Sequence, residues 1–308
     1  REKKWRYKTM QTKKVVSVLL AGVTTLSMAM PVLAANGDPN LVVTPDTLYS
    51  TPIEANSSVT LGLMPANAYY QRTGFDSEDA AKSGLKVDSI NAGKGKIIEN
   101  YAYGAKETAD GWAGTVTITG AAGQYGPASL HIVNTNNTSA GIDMPVYVES
   151  AEDVADATGV TVKVKDCHND TGMKVDGEDL TVAKAKGNSG NPFSNSEGAA
   201  QTYPTAGDAL YSLMKEGEIS FTQYGGYVSE ISDTDGNKLS GYSSEDYTEY
   251  YGWYYCVIDG EGSKANIVEG SDIVSASVLP VDDNDTVVWA FGTEDEANNY
   301  FDEVLSAK

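Results

Sequence analysis

From residue 41 onward the chain is dominated by short runs of alternating apolar and polar residues, each closed by Gly, Asn, Pro or Asp. The runs LVVTPDTLY (41–49), SVTLGLM (58–64), KIIENYAY (96–103), GTVTITG (114–120), SLHIVN (129–134) and MPVYVE (144–149) have the period of two that a strand with one buried face requires. No helical pattern longer than 77–83 interrupts them, so this half is expected to form an antiparallel β-sandwich of immunoglobulin-like type, spanning 36–150. The acidic stretch AEDVADATG (151–159) has few large apolar residues and reads as a linker.

The pattern changes beyond residue 160. A strand, VTVKVKD (160–166), comes first, and a polar, glycine-rich loop occupies 188–198. A helix then begins at Thr205, whose hydroxyl and the carboxylate of Asp208 three residues later suit a capping box, with Ala206, Leu210, Leu213 and Met214 as its apolar stripe and Gly217 as its stop. EISFTQY and YVSEIS flank Gly225-Gly226 and predict a hairpin. SDIVSASVLP (271–280) and DTVVWAFG (285–292) read as further strands, and TEDEANNYFDEVLSA (293–307) as a closing helix capped by Thr293 and Glu296. The chain is therefore expected to be mainly β, a sandwich followed by a small α+β domain at 160–308 with a C-terminal helix.

One segment departs from ordinary amphipathic patterning. Residues 242–258 hold six tyrosines and Trp253, emerge from the acidic loop SSEDYTE and read as one aromatic strand that turns at Asp259-Gly260. From Tyr250 onward the residues divide into two faces, Tyr250, Gly252, Tyr254, Cys256 and Ile258 against Tyr251, Trp253, Tyr255 and Val257. Aromatics on both faces mean either a central strand covered on both sides or a surface offered to a ligand. Tyr247, Tyr250, Tyr251, Trp253 and Tyr255 are the candidate contact residues, with Trp253 and Trp289 also expected to supply core area.

Charge and compartment narrow the possible partners. Residues 1–14 carry seven basic residues against one acid, 15–30 carry no charge, and small residues follow at 34–35, the plan of a secretory signal peptide at 1–35. Met10 is well placed to start it, which would make 1–9 an upstream extension. The chain has 22 basic and 43 acidic residues; residues 1–35 hold 7 and 1 of these, which leaves 15 and 42 and a net charge of −27. Such a surface repels nucleic acid and anionic lipid, and leaves an extracellular protein, glycan or small molecule as the partner. In an oxidising exterior Cys167 and Cys256 are expected to pair, with two separate thiols the alternative.

Catalytic and metal chemistry find little footing. The run 166–170, DCHND, groups possible ligands, but two histidines in the whole chain complete no tetrahedral zinc set. Residues 233–237, DTDGN, begin like a calcium loop yet place Lys238 where glycine is needed, so a turn is the better reading. His131 alternates into a strand and reads as a sheet residue.

In the second domain, the helix GDALYSLM, the hairpin with GYVSEIS, the aromatic YGWYYCVIDG and the closing VDDNDTVVWAFG resemble the transcobalamin C-terminal-like domain. Trp253, Tyr254, Gly260, Asp285, Val287 and Trp289 carry the likeness over about 160–293. The resemblance implies a β-grasp-like fold in a secreted or surface protein. It also brings a second function, capture of a small ligand such as cobalamin or another corrinoid, beside the first reading of a non-catalytic adhesion-type module. No cofactor is expected under the first.

Overall fold

A computed structural model describes residues 40–307 except 48–50, 55–56, 68–70, 93–95, 150–153, 170, 196–200, 261–266 and 270–274. The signal-peptide reading and part of the expected linker lie outside the described residues.

The first domain is a sandwich of two four-stranded sheets. One holds β1 (Asn40–Val43), β3 (Ser58–Ala66), β6 (Gly111–Gly120) and β5 (Ile98–Thr108) in the order β1-β3-β6-β5. The other holds β2 (Thr51–Ile53), β8 (Asn137–Val148), β7 (Gly126–Asn134) and β4 (Leu85–Ala92) in the order β2-β8-β7-β4, with β2 parallel to β8. This is the A-B-E-D and C-F-G arrangement of immunoglobulin-like domains. Alternation places Leu61, Leu63, Val116 and Ile118 from one sheet against Leu130, Ile132, Met144 and Val146 from the other, and all are buried. Helix α1 (Glu78–Ser83) is capped by the Ser77 hydroxyl, which accepts from Ala80 N. Two strands go beyond the alternating runs: β2 is only three residues long, and a bulge between Val87 and Ser89 breaks the periodicity of β4.

The second domain is built on a mixed sheet in the order β10-β9-β17-β15-β14, from β9 (Ala157–Asp166), β10 (Lys174–Val182), β14 (Tyr242–Ser243), β15 (Tyr250–Ile258) and β17 (Thr286–Gly292), with β16 (Ile267–Glu269) added beside β15. β17 runs parallel to β9, and the other pairs are antiparallel. Helix α2 (Ala206–Lys215) falls between the β9–β10 hairpin and the β15–β17 pair, which is the β-grasp order. A second sheet of β11 (Ile219–Tyr224), β12 (Tyr227–Asp233) and β13 (Lys238–Ser240) lies with α2 on one face of the main sheet. Helix α3 (Glu294–Ser306) covers the other face through Ala297, Tyr300, Phe301 and Val304. Every residue of β17 is buried, as a central strand covered on both sides must be.

Both capping boxes form as expected, Thr205 with Asp208 and Thr293 with Glu296. The β11–β12 hairpin turns at Gly225-Gly226, both at positive φ. Residues 233–237 make the β12–β13 turn, in which the Asp233 carboxylate accepts from the Asn237 backbone N–H and side-chain amide. Three expectations change. β9 takes in Ala157–Gly159, which shortens the linker. Of the expected strand 271–280, residues 271–274 lie outside the described residues, and 276–278 form a turn rather than a strand, with Ala276, Val278 and Leu279 in the core. The aromatic run divides into β14 and β15 around residues 244–249, and the β15–β16 register of Ile258 opposite Ile267 extends the following connection well beyond Asp259-Gly260.

Cys167 and Cys256 are not joined, which corrects the expected disulfide. Cys167 follows β9 and donates its backbone N–H to Phe291, whereas Cys256 sits on β15 opposite Val288, across β17. Two strand spacings, about 9.6 Å, already exceed the roughly 7 Å Cα span that a disulfide bridges. Burial pushes the Cys167 thiol up to about 11 and raises Cys256 further, so neither is poised to react.

The domains meet at the end of the second sheet where β9 begins. Tyr125 of the first domain stacks on Tyr203 of the second at 4.6 Å, and its hydroxyl lies 3.4 Å from Asp282. Tyr203 is buried and donates to Val278 O at 2.9 Å. Gly126, at φ 115, admits Pro280 where a Cβ would come within 2.8 Å of its ring.

Asp208 is one of three buried carboxylates described in this domain, with Asp166 and Asp285, and is held by Thr205 Oγ1 at 2.8 Å and Asn191 Nδ2 at 2.6 Å. Burial outweighs those donors and raises its carboxyl from 3.8 to about 6. A raised folded value means that the native state holds the proton more tightly than the unfolded chain. The associated stability is complete below about pH 3.8 and is lost as the pH rises through about 6, a change of at most ~3 kcal/mol. Denaturant midpoints from pH 4 to 7 should show this fall in the natural protein and a shallower one in Asp208→Asn; equal slopes would refute it. Alkylation followed by mass spectrometry should find both thiols free in the unfolded, unreduced protein and slow to react in the native one.

Candidate functional site

The candidate site is the aromatic edge formed by β14, the 244–249 loop and the start of β15. Tyr242 pairs with Tyr251 and Ser243 with Tyr250 across the short ladder. The loop between them is tied by its own side chains. Ser244 Oγ accepts from the backbone N–H groups of Thr248 and Glu249 at 3.1 and 3.0 Å. Asp246 Oδ1 accepts from Ser244 Oγ at 2.7 Å and from Thr248 Oγ1 at 2.8 Å, and these bonds hold its carboxyl below the usual range. So tied, the loop carries Tyr247 at φ 58, a left-handed conformation that costs an L-residue about 1–2 kcal/mol, and leaves its ring 86% exposed.

Behind the loop three rings stack in series. Tyr242 lies 4.9 Å from Tyr251, and Tyr251 lies 4.1 Å from the imidazole of His168. His168 belongs to the turn after β9, where Asp166 accepts from the backbone N–H groups of His168, Asn169 and Thr171. Burial acts to raise the Asp166 carboxyl, and the three donors outweigh it. His168 Nδ1 donates to Glu296 at 3.0 Å. Burial likewise acts to raise Glu296, but His168 and the Thr293 cap bring it below the ordinary carboxylate range. Tyr251 donates to Glu249 at 2.5 Å, and this bond, with some burial, pushes its hydroxyl up to about 12. Tyr250 packs against Gly252, where a Cβ would come within 2.6 Å of its ring, and its hydroxyl meets the Tyr227 hydroxyl at 2.5 Å.

Of the five expected contact residues, the structure leaves Tyr247, Tyr250 and Tyr251 at this edge and removes two. Trp253 and Tyr255 are each 4% exposed. Trp253 packs edge-on against Phe291 at 5.3 Å and donates to Leu239 O at 3.1 Å; Tyr255 stacks on Trp289 at 4.9 Å. Period-two geometry turns both toward α2, into the core. Tyr242, Tyr224 and His168 are additions. Tyr224 stands 76% exposed at the β11–β12 tip, and a tyrosine next to Gly-Gly was a signal available in the sequence. His168 reaches Tyr251 only through the parallel β9–β17 pairing, which no local pattern marks. The other histidine, His131, pairs with Asp143 across β7 and β8 at 2.8 Å. Among the described residues no group of three His, Cys, Asp or Glu side chains is arranged to hold a metal, and no helix is long and apolar enough to cross a membrane.

No family model matches the chain, and no curated protein matches it. Among solved structures it is similar to domains 4 and 5 of the S-layer protein SbsC, at 14% identity and a TM-score of 0.22 over 37% of this chain and 47% of that one. It is also similar to the Escherichia coli adhesin FdeC, at 17% identity and a TM-score of 0.25 over 40% of this chain and 36% of that one. Domains 6–7 of SbsC align over 85% of this chain and 94% of theirs at 13% identity and a TM-score of 0.23. The chain thus spans about half or less of the first two structures. All three TM-scores are well below 0.5, and function has to be read from the residues of this chain.

Trp253→Ala should lower the stability of the second domain by about 3–5 kcal/mol in denaturant unfolding, as removal of a packed core ring does. Tyr247→Gly should instead leave stability unchanged or raise it by up to about 1 kcal/mol, because glycine accepts the left-handed φ. A large loss at position 247 would mean that its ring packs against the domain.

Proposed function

We propose that the chain is a non-catalytic module of the cell exterior, in which an immunoglobulin-like sandwich carries a β-grasp domain whose aromatic edge contacts an extracellular partner. The observation that carries this reading is the Tyr247 loop, where a backbone conformation unfavourable for tyrosine is maintained by Ser244 and Asp246 and the ring stays in solvent. The exposed ring itself buries little surface there, and unfavourable backbone of this kind gathers at binding and switch sites. Position supports the same reading. β15 pairs with β17 from Gly252, opposite Gly292, to Ile258, opposite Thr286, so the loop before it lies at the end of the sheet away from the Tyr125–Tyr203 joint. Membership of the transcobalamin C-terminal-like family is part of the proposal and is supported by the β-grasp strand order together with the Trp253 and Trp289 motifs.

Capture of a corrinoid is the weaker reading. α2 with the β11–β13 sheet covers one face of the main sheet and α3 the other, so the rings that are not in the core stand on an open edge rather than around a cavity.

The test is to probe residues 36–308 against arrays of glycans and extracellular matrix proteins, alongside Tyr247→Ser/Tyr250→Ser/Tyr251→Ser, and to titrate both with cobalamin by calorimetry. The triple variant should lose about 2 kcal/mol or more of binding to an array partner, and neither protein should give heat with cobalamin. Undiminished binding by the triple variant would overturn the assignment of this edge, and heat with cobalamin would favour the small-ligand reading.

A further inference from the structure

The charge around the aromatic edge identifies the kind of partner it fits. Tyr242, Tyr247 and Tyr250 are 42%, 86% and 38% exposed. Glu245, Asp246 and Glu249 are exposed in the same loop, and no lysine or arginine occurs between Lys238 and the end of β15. Lys238 itself is engaged with Glu230 at 2.8 Å. Rings and carboxylates in one run that holds no lysine or arginine, with the neighbouring His168 already engaged by Glu296, make a surface complementary to cations, since a ring face and a carboxylate both attract an ammonium or guanidinium group. The chain uses the same combination internally: Lys165 Nζ stands 4.3 Å above the Tyr300 ring and 3.6 Å from Glu303.

Resting on the proposed role of this edge, we propose that its occupant is a lysine- or arginine-rich segment of an extracellular polypeptide. The Tyr247 ring takes a cationic side chain on its open face, and Glu245 and Glu249 engage neighbouring charges along the segment. Asp246 keeps the loop in shape through Ser244 and Thr248. Arginine suits the edge better than lysine, because its planar group stacks on tyrosine while donating to a carboxylate. An uncharged glycan would meet the rings but leave the carboxylates without partners of opposite sign, and a phosphate-bearing ligand would be repelled.

The test measures anisotropy of a labelled nona-arginine peptide, with uncharged Gly-Ser and nona-glutamate peptides beside it, on the secreted protein and three variants. Glu245→Gln/Glu249→Gln removes charge at the edge. Glu216→Gln/Glu218→Gln removes the same charge from two exposed positions elsewhere in the domain. Tyr247→Ala removes the ring. Arginine peptide should bind alone, weaken about tenfold in the edge pair and several-fold in Tyr247→Ala, change little in the remote pair, and weaken as salt rises. Equal losses in the edge and remote pairs would reduce the effect to net charge and overturn the proposal. Tyr247-dependent binding of a neutral glycan or of cobalamin without binding of the arginine peptide would overturn the cationic occupant while leaving the edge as a working surface. If neither the peptides nor the array partners bind in a Tyr247-dependent manner, both readings fall.

Discussion

The second domain depends on a single strand having no exposed face. β17 lies between β9 and β15, and both of its faces are sealed, one by α2 with the β11–β13 sheet and the other by α3. Such a strand must be apolar throughout, and TVVWAFG meets that demand with a threonine at its margin. Because Trp289 and Phe291 point to one side, β15 must meet them with Tyr255 and Trp253; because Val288 and Ala290 are small, α3 can settle close on the other side. The aromatic richness of the 242–258 segment is thus largely a requirement of the core. What remains exposed is the part of the run that extends past the end of β17, and this is why the available rings collect at one edge.

The two domains answer different demands with similar strands. In the sandwich each sheet has one inner face, so apolar residues alternate and the outer positions are free to be Thr, Ser or charged, as in the Ser58–Thr119 and Thr60–Thr117 hydroxyl pairs across β3 and β6. In the second domain alternation gives way to continuous burial at the centre and returns in the outer strands, among them β9, β11 and β13. The acidic balance of the chain is carried mostly on loops and outer faces. Asp166, Asp208 and Asp285 are buried exceptions that fasten turns and a helix start; the partners of Asp208 are Thr205 and Asn191, which tie the start of α2 to the loop before it.

Much of this organisation was written locally and could be read from the residues. Thr205 with Asp208 and Thr293 with Glu296 fix helix starts three residues apart, and Gly225-Gly226 fixes a hairpin, because each signal is complete within a few positions. The immunoglobulin-like class followed from the spacing of alternating runs, although β2 was too short and β4 too irregular to stand out. The segment 271–280 misled in its described part, since Ala276, Val278 and Leu279 serve the core from a turn rather than from a ladder. The site divides in the same way. Tyr247, Tyr250 and Tyr251 stood out by composition, whereas the choice between Trp253 buried and Trp253 exposed depended on which strand lay beside it. The disulfide expectation failed on the same ground, since pairing across β17 is a property of strand order. The stack of His168 on Tyr251 requires residues over eighty positions apart to be brought together by a parallel ladder.

The parallel pairing of β9 with β17 has a mechanical consequence. The sandwich connects to β9 at Ala157, at one end of the sheet, and the Tyr247 loop leaves β15 at the other. Tension applied between the sandwich and that loop would pass from β15 to β17 to β9 along the strand axes. It therefore acts as shear, and the ladder bonds from Thr161 opposite Thr286 to Asp166 opposite Phe291 share the load together instead of opening one after another. A ladder loaded in this way gives way more slowly under stretching than equilibrium stability alone would indicate.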